Sequence, residues 1–139
     1  MDLVRAAFGA ERDLVAMFAD ESSARALLAE MLHDDVEFEF IGSSEDVTMG
    51  VTGVRRGIDG VLGAWRDWLE PFSSYRIEGR GSFPIEEAVL TVTRAFAVTR
   101  TGHVELEQDQ AVVWHFRDGK VWRWEAWLYA DDAKAAFGL

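Results

Sequence analysis

Residues 112–121 read Val112-Val113-Trp114-His115-Phe116-Arg117-Asp118-Gly119-Lys120-Val121, a strand-forming apolar run that meets an Asp-Gly pair and then resumes. Asp-Gly tolerates positive φ at both positions, which a tight hairpin demands. The spacing therefore predicts one strand from Val104 to Phe116 and another from Val121 to Tyr129. Upstream, Ala88 to Arg100 is rich in Val, Thr and Phe and reads as a third strand, reversed at Thr101-Gly102-His103. Tyr75 to Gly81 is a shorter one. Three or four antiparallel strands joined by short turns thus fill the second half of the chain.

The first half follows a different rhythm. Leu3, Val4, Ala7, Phe8, Leu14, Val15 and Phe18 recur at three- and four-residue steps, predicting an amphipathic helix from Asp2 to about Ala19. Ser22 or Ser23 can cap a second helix carrying Leu27, Leu28, Met31 and Leu32, which Asp34 and Asp35 end. Val36, Phe38 and Phe40 alternate with Glu37 and Glu39, the period of a strand with one buried face. By this alternation Glu37 and Glu39 point outward. A glycine- and serine-containing loop from Gly42 to Gly53 leads to a third helix, marked by Ile58, Val61, Leu62, Trp65 and Leu69 and ending before Pro71. Asp131 to Ala136 forms a terminal helical turn. The order implies an α+β domain over residues 1–139, with helices covering one face of a bent antiparallel sheet.

Composition narrows the function. Cysteine is absent, which excludes disulfides, thiolate metal sites and cysteine nucleophiles and suits a reducing cytoplasm. A net charge of −11 repels phosphate backbones and anionic lipid, so neither nucleic acid nor membrane is an expected partner. The charged residues between Met1 and Asp20 fit neither a signal peptide nor a membrane span. His33, His103 and His115 share no metal-ligand spacing, no phosphate loop or nucleophile elbow is present, and no metal or cofactor is expected. Fifteen Trp and Phe side chains, six and nine respectively, point to a core and an apolar cavity.

The element order, the segment from Val112 to Val121, the stretch Gly53-Val54-Arg55-Arg56-Gly57-Ile58 followed by Trp65 and Trp68, and the ending from Ala133 to Leu139 resemble the SnoaL-like branch of the nuclear transport factor 2 superfamily. That resemblance implies a cone-shaped α+β barrel around a pocket, often in a homodimer. Its members include isomerases, cyclases, dehydratases and epoxide hydrolases as well as non-catalytic binders. This chain departs from the catalytic members. Val112 stands where the isomerase- and cyclase-like members place an aspartate on the penultimate strand. Trp124 and Ala126 stand where cyclase-like members place a His and an Asp. The isomerase base on the first strand aligns with Glu39 or with Phe40.

Alternation sets Arg94 beside Leu90, Val92, Phe96 and Val98 on an apolar face. There it either contacts a ligand or is satisfied by a strand carboxylate or carbonyls. Gln108 and Gln110 share parity with Val112, Trp114 and Phe116 on the neighbouring strand. Arg94, Gln108 and Gln110 are therefore expected as the polar floor of the pocket, with Trp114 and Trp124 as its walls or as core. Arg123, Glu125, Trp127, His115 and Val113 fall on the opposite face, whose mixed aromatic and charged character suits a subunit interface. The expected role is binding a small hydrophobic molecule. The alternative is metal-free isomerase, cyclase or hydrolase chemistry on a polyketide- or steroid-like substrate.

Overall fold

The computed structural model describes residues 13–42 and 53–139. Residues 2–12 of the expected N-terminal helix and most of the loop before Gly53 lie outside them. The described chain runs α1 (Leu14–Ala19), α2 (Glu21–Met31), β1 (Leu32–Ile41), β2 (Arg55–Arg56), α3 (Gly57–Leu69), β3 (Phe72–Ile85), β4 (Ala88–Thr99), β5 (Glu105–Arg117), β6 (Lys120–Trp127) and α4 (Ala130–Ala136). It is the α+β arrangement expected. Its six strands form one sheet in the order β2-β1-β6-β5-β4-β3. Two features of the sheet differ from the expectation. The sheet is mixed, because β1 runs parallel to β6 while every other pairing is antiparallel. It is also open, with β2 and β3 at its edges, and does not close into a barrel.

Local chemistry explains the boundaries. Asp118 and Gly119 take φ of 53° and 80° between β5 and β6, the double positive φ that selects this pair for a two-residue hairpin. The cap of α2 is Asp20 rather than a serine: its carboxylate accepts from the Ser23 amide at 3.2 Å and from the Ser23 hydroxyl at 2.9 Å. Asp13 caps α1 by accepting from Val15 N at 2.9 Å, and the same oxygen accepts from Tyr75 N at 3.1 Å. One carboxylate thus starts a helix and ties it to β3. Such a cap is worth about 1 kcal/mol. His33, expected at a helix end, lies at the start of β1, where Nε2 meets the Arg117 carbonyl at 2.5 Å.

The sheet carries a core on each face. On the inner face Val36, Phe38 and Phe40 of β1 meet the stripe Val61, Leu62, Trp65, Trp68 and Leu69 of α3. Phe40 stacks on Trp68 at 4.7 Å between ring centroids, and Phe38 meets Trp124 edge to face at 4.9 Å. Each such pair adds about 0.5–1.5 kcal/mol beyond its burial. On the outer face α4 lays Ala133 over Ala88, Leu90, Ala111 and Val113, with Trp127 and Phe137 packed beside them. Among the described residues no helix is long and apolar enough to cross a membrane.

Candidate binding cavity

Between the end of α3 and the inner faces of β3, β4 and β5 lies a cavity of about 280 Å³. Exposure falls steadily from its mouth to its interior. Leu106 and Tyr129 at the rim are 46% and 37% exposed, whereas Trp68 and Tyr75 inside are 7% and 3% exposed. Phe72, Ala95, Ala97 and Leu128 complete the apolar wall. The alanines are what make the space. On β4 they stand opposite Tyr75 and Ile77 of β3, and a larger residue at either position would fill it.

Polar groups in the cavity are few and mutually oriented. The Tyr75 hydroxyl donates to Gln110 Oε1 at 3.3 Å. Gln108 donates through Nε2 to the carbonyls of Leu128 and Asp109, both at 3.3 Å. Burial pushes the Tyr75 phenol above its ordinary pKa, and the influence of the Trp68 indole N–H and of Gln110 only partly offsets it. Trp68 Nε1 faces that oxygen without reaching hydrogen-bond geometry, and it is left without a partner among the described residues. Thr93 Oγ1, directly across the β4–β5 ladder from Gln110, is likewise buried and unpartnered. A buried polar atom in that state costs about 1–3 kcal/mol. Of the two only Trp68 lines the cavity, so its indole N–H is the one a guest can relieve.

Of the residues read from the sequence, Gln108 and Gln110 line this cavity, whereas Arg94 does not. Register places Arg94 opposite Asp109 on the outer face, where it binds Asp109 at 2.5 Å and Glu107 at 3.0 Å. The strand-carboxylate alternative describes it, and the single polar floor of Arg94 with both glutamines does not form. Leu90 and Val92, the residues that marked its face as apolar, belong to the core beneath α4. Trp114 and Trp124 do face inward, but they pack against each other at 4.7 Å in the core and not against the cavity. Trp68, Phe72 and Tyr75 were missed. Tyr75 and Ile77 opposite Ala97 and Ala95 give the signal, visible only once β3 and β4 are in register.

Glu37 and Glu39 point outward, as alternation predicts. Arg123 binds Glu39 at 3.0 Å, and Arg56 binds Glu37 at 2.7 Å. On the same face Glu125 is only 6% exposed; it pairs with His115 Nε2, accepts from Trp127 Nε1 at 3.0 Å and lies 3.5 Å from Arg123 Nε. Burial pushes its pKa up, but His115, Trp127 and Arg123 together outweigh burial and hold it below the ordinary glutamate value. Val113 and Trp127, expected at a subunit interface, are instead covered by α4. A depression of about 480 Å³ elsewhere holds Arg56 and Glu37, and one of about 540 Å³ adjoins the cavity, sharing Glu107, Gln108 and Tyr129 with it and placing Gln108 in the same depression as Arg94; the charged pairs Arg56 with Glu37 and Arg94 with Asp109 already bind one another. No group of His, Asp or Glu able to hold a metal occurs among the described residues.

No curated protein sequence matches the chain. Solved structures do. TerC, co-crystallised with polyporic acid, superposes with a TM-score of 0.65 at 18% identity over 89% of this chain and 93% of its own. An NTF2-like protein of unknown function from Burkholderia pseudomallei gives 0.65 at 14% identity, covering 87% of this chain and 90% of that one. A Jannaschia protein labelled a SnoaL-like polyketide cyclase gives 0.63 at 12%, covering 88% of each. At such identities the likeness concerns the fold. The model of the SnoaL-like domain matches residues 12–124, most of the length and every strand up to the middle of β6. The chain therefore belongs to the SnoaL-like domain family.

Proposed function

We propose that this domain binds a small, largely apolar molecule in the inner-face cavity between α3 and β3–β5. The observation that carries the reading is the interior of that cavity: an apolar wall with three converging polar side chains, Trp68, Tyr75 and Gln110. Small-molecule sites have this composition, in volumes of roughly 300–1,000 Å³. At about 280 Å³ this cavity suits a compact guest. TerC, of similar fold, was co-crystallised with polyporic acid, which agrees with a small-molecule role.

Binding is favoured over isomerase, cyclase or hydrolase chemistry by what the interior offers. Proton transfer needs an acid or base poised at the reacting atom. The interior presents an amide, an indole and a phenol whose pKa is raised, so none exchanges a proton readily at neutral pH. Among the described residues Glu107 is the one carboxylate lining the cavity, and its carboxyl group is engaged with Arg94 on the outer face. A homodimer, which the resemblance implies, would use the part of the outer face that α4 leaves open, around Glu37, Glu39 and Arg123. Light scattering should then show about twice 15.6 kDa.

Two-dimensional NMR with ethylbenzene, an apolar probe small enough for the cavity, tests the binding reading. The backbone amides of Tyr75, Ala95, Ala97 and Gln110 are expected to shift saturably. Ala97→Phe fills the space and should abolish those shifts while the rest of the spectrum stays dispersed. Absence of saturable shifts in the unmodified protein would remove the reading.

A further inference from the structure

We infer that the cavity selects an uncharged ligand bearing a hydrogen-bond acceptor, seated by the Trp68 indole N–H and the side-chain amide of Gln110. The inference rests on the cavity being the binding site, as proposed above, and names what that site accepts.

The argument is a count of donors and acceptors. Tyr75 has one hydroxyl proton, and it goes to Gln110 Oε1. That bond uses one of the two lone pairs of Gln110 Oε1 and turns the NH₂ end, with two protons, away from Tyr75. Trp68 Nε1 can only donate, and the Tyr75 oxygen it faces lies outside hydrogen-bond geometry. Gln108 commits its amide protons to the Leu128 and Asp109 carbonyls, two residues nearer the mouth. The interior is therefore rich in donors, and a guest that offers an oxygen acceptor relieves them.

Charge decides which acceptor. A carboxylate leaving water needs a cation or several strong donors to repay its desolvation. Among the described residues no Lys, Arg or His lines the cavity, and the guanidinium on the neighbouring register position, Arg94, lies on the other face bound to two carboxylates. The net charge of −11 further disfavours an anion. A cation would find the interior oxygens, of Tyr75 and Gln110, bonded to each other. What remains is a neutral ketone, ester, amide or quinone on a compact apolar body.

Three probes of nearly equal shape separate these terms: acetophenone, ethylbenzene and benzoate, titrated by NMR. The Trp68 indole signal, assigned by its loss in Trp68→Phe, should move downfield with acetophenone and not with ethylbenzene. Acetophenone should bind at least tenfold more tightly than either of the others. Gln110→Glu, which keeps the shape but removes the NH₂ donors, and Gln110→Met should each bring acetophenone to the affinity that ethylbenzene shows in the same variant. Equal affinities for acetophenone and ethylbenzene, tighter binding of benzoate, or indifference of acetophenone to both Gln110 changes would overturn the donor assignment and leave the cavity standing. Failure of all three probes to bind would remove the cavity reading, and this inference with it.

Discussion

Arg94 and Gln110 sit on adjacent strands one register step apart and point to opposite faces of the sheet, since Thr93 is the residue across from Gln110 and Asp109 the one across from Arg94. The single step separates a surface ion pair from the cavity wall. Side chains alternate with a period of two, so no rotamer of Arg94 brings its guanidinium to the inner face.

Arg94→Met should therefore leave acetophenone binding unchanged. The side chain is 30% exposed and its partners Glu107 and Asp109 more so, and ion pairs in that setting contribute at most about 1 kcal/mol. A thermal melt should show a loss no larger than that. A large drop in probe affinity with an unchanged melt would give Arg94 a role at the cavity that its position does not provide.

Tyr75→Phe removes the hydroxyl that orients Gln110. A neutral buried hydrogen bond of this kind is worth about 1 kcal/mol, so a modest fall in stability is expected. The larger consequence is at the site: without Tyr75 on Oε1 the Gln110 amide is free to flip, and selectivity for acetophenone over ethylbenzene should shrink. Because burial raises the phenol's pKa in the folded state, the native state holds the proton more tightly. The stabilisation is complete below the ordinary tyrosine value of 10.0 and is lost as pH rises above it, so the alkaline slope in stability should flatten in Tyr75→Phe.

Much of this was legible in the sequence, and the exceptions share one cause. Hairpins and helices are local: Asp118-Gly119 announces its turn, and the α3 stripe announces its buried face. Parity is local too, which is why Glu37 and Glu39 were placed outward. Which parity faces the cavity is not local. On β4 Leu90 is fully buried against α4 on the outer face, while the inner face is held by Ala95 and Ala97. The larger apolar residues therefore marked the wrong side, and Arg94 was carried with them. The parallel pairing of β1 with β6 is equally invisible, because the two strands are far apart in the chain and β1 carries the same alternation whichever neighbour it takes.

Gly119 and Gly79 offer a controlled comparison of backbone strain. A Cβ on either would meet nothing within 4 Å, but only Gly119 has positive φ, at 80°. Gly119→Ala should cost about 1–2 kcal/mol through the left-handed conformation alone. Gly79→Ala carries no such penalty and reduces the freedom of the unfolded chain, so it should be neutral or stabilising by up to about 1 kcal/mol. Chemical denaturation of the two variants checks the pair, and equal effects would mean that the turn relaxes away from its left-handed geometry.

Glu125 anchors the outer face, and its replacement should be the most costly of the polar changes considered. The carboxylate is nearly buried, yet three donors converge on it: His115 Nε2, Trp127 Nε1 and, at 3.5 Å, Arg123 Nε. Glu125→Gln keeps the shape but gives the side chain an NH₂ group that must face one of those donors, leaving buried polar atoms unpaired. A loss of about 1–3 kcal/mol follows at neutral pH. The pH dependence gives an independent check. Burial opposes ionisation, but the three partners prevail and hold the folded-state pKa below the ordinary 4.5, so the unfolded chain takes up a proton first as pH falls. The stabilisation from this group is thus present above 4.5 and lost as pH drops through the lower folded-state value. In Glu125→Gln the acid limb of the stability curve should be shallower, bringing the two proteins closer together at low pH than at neutrality. A gap that stays constant with pH would show that the glutamate acts only by filling space.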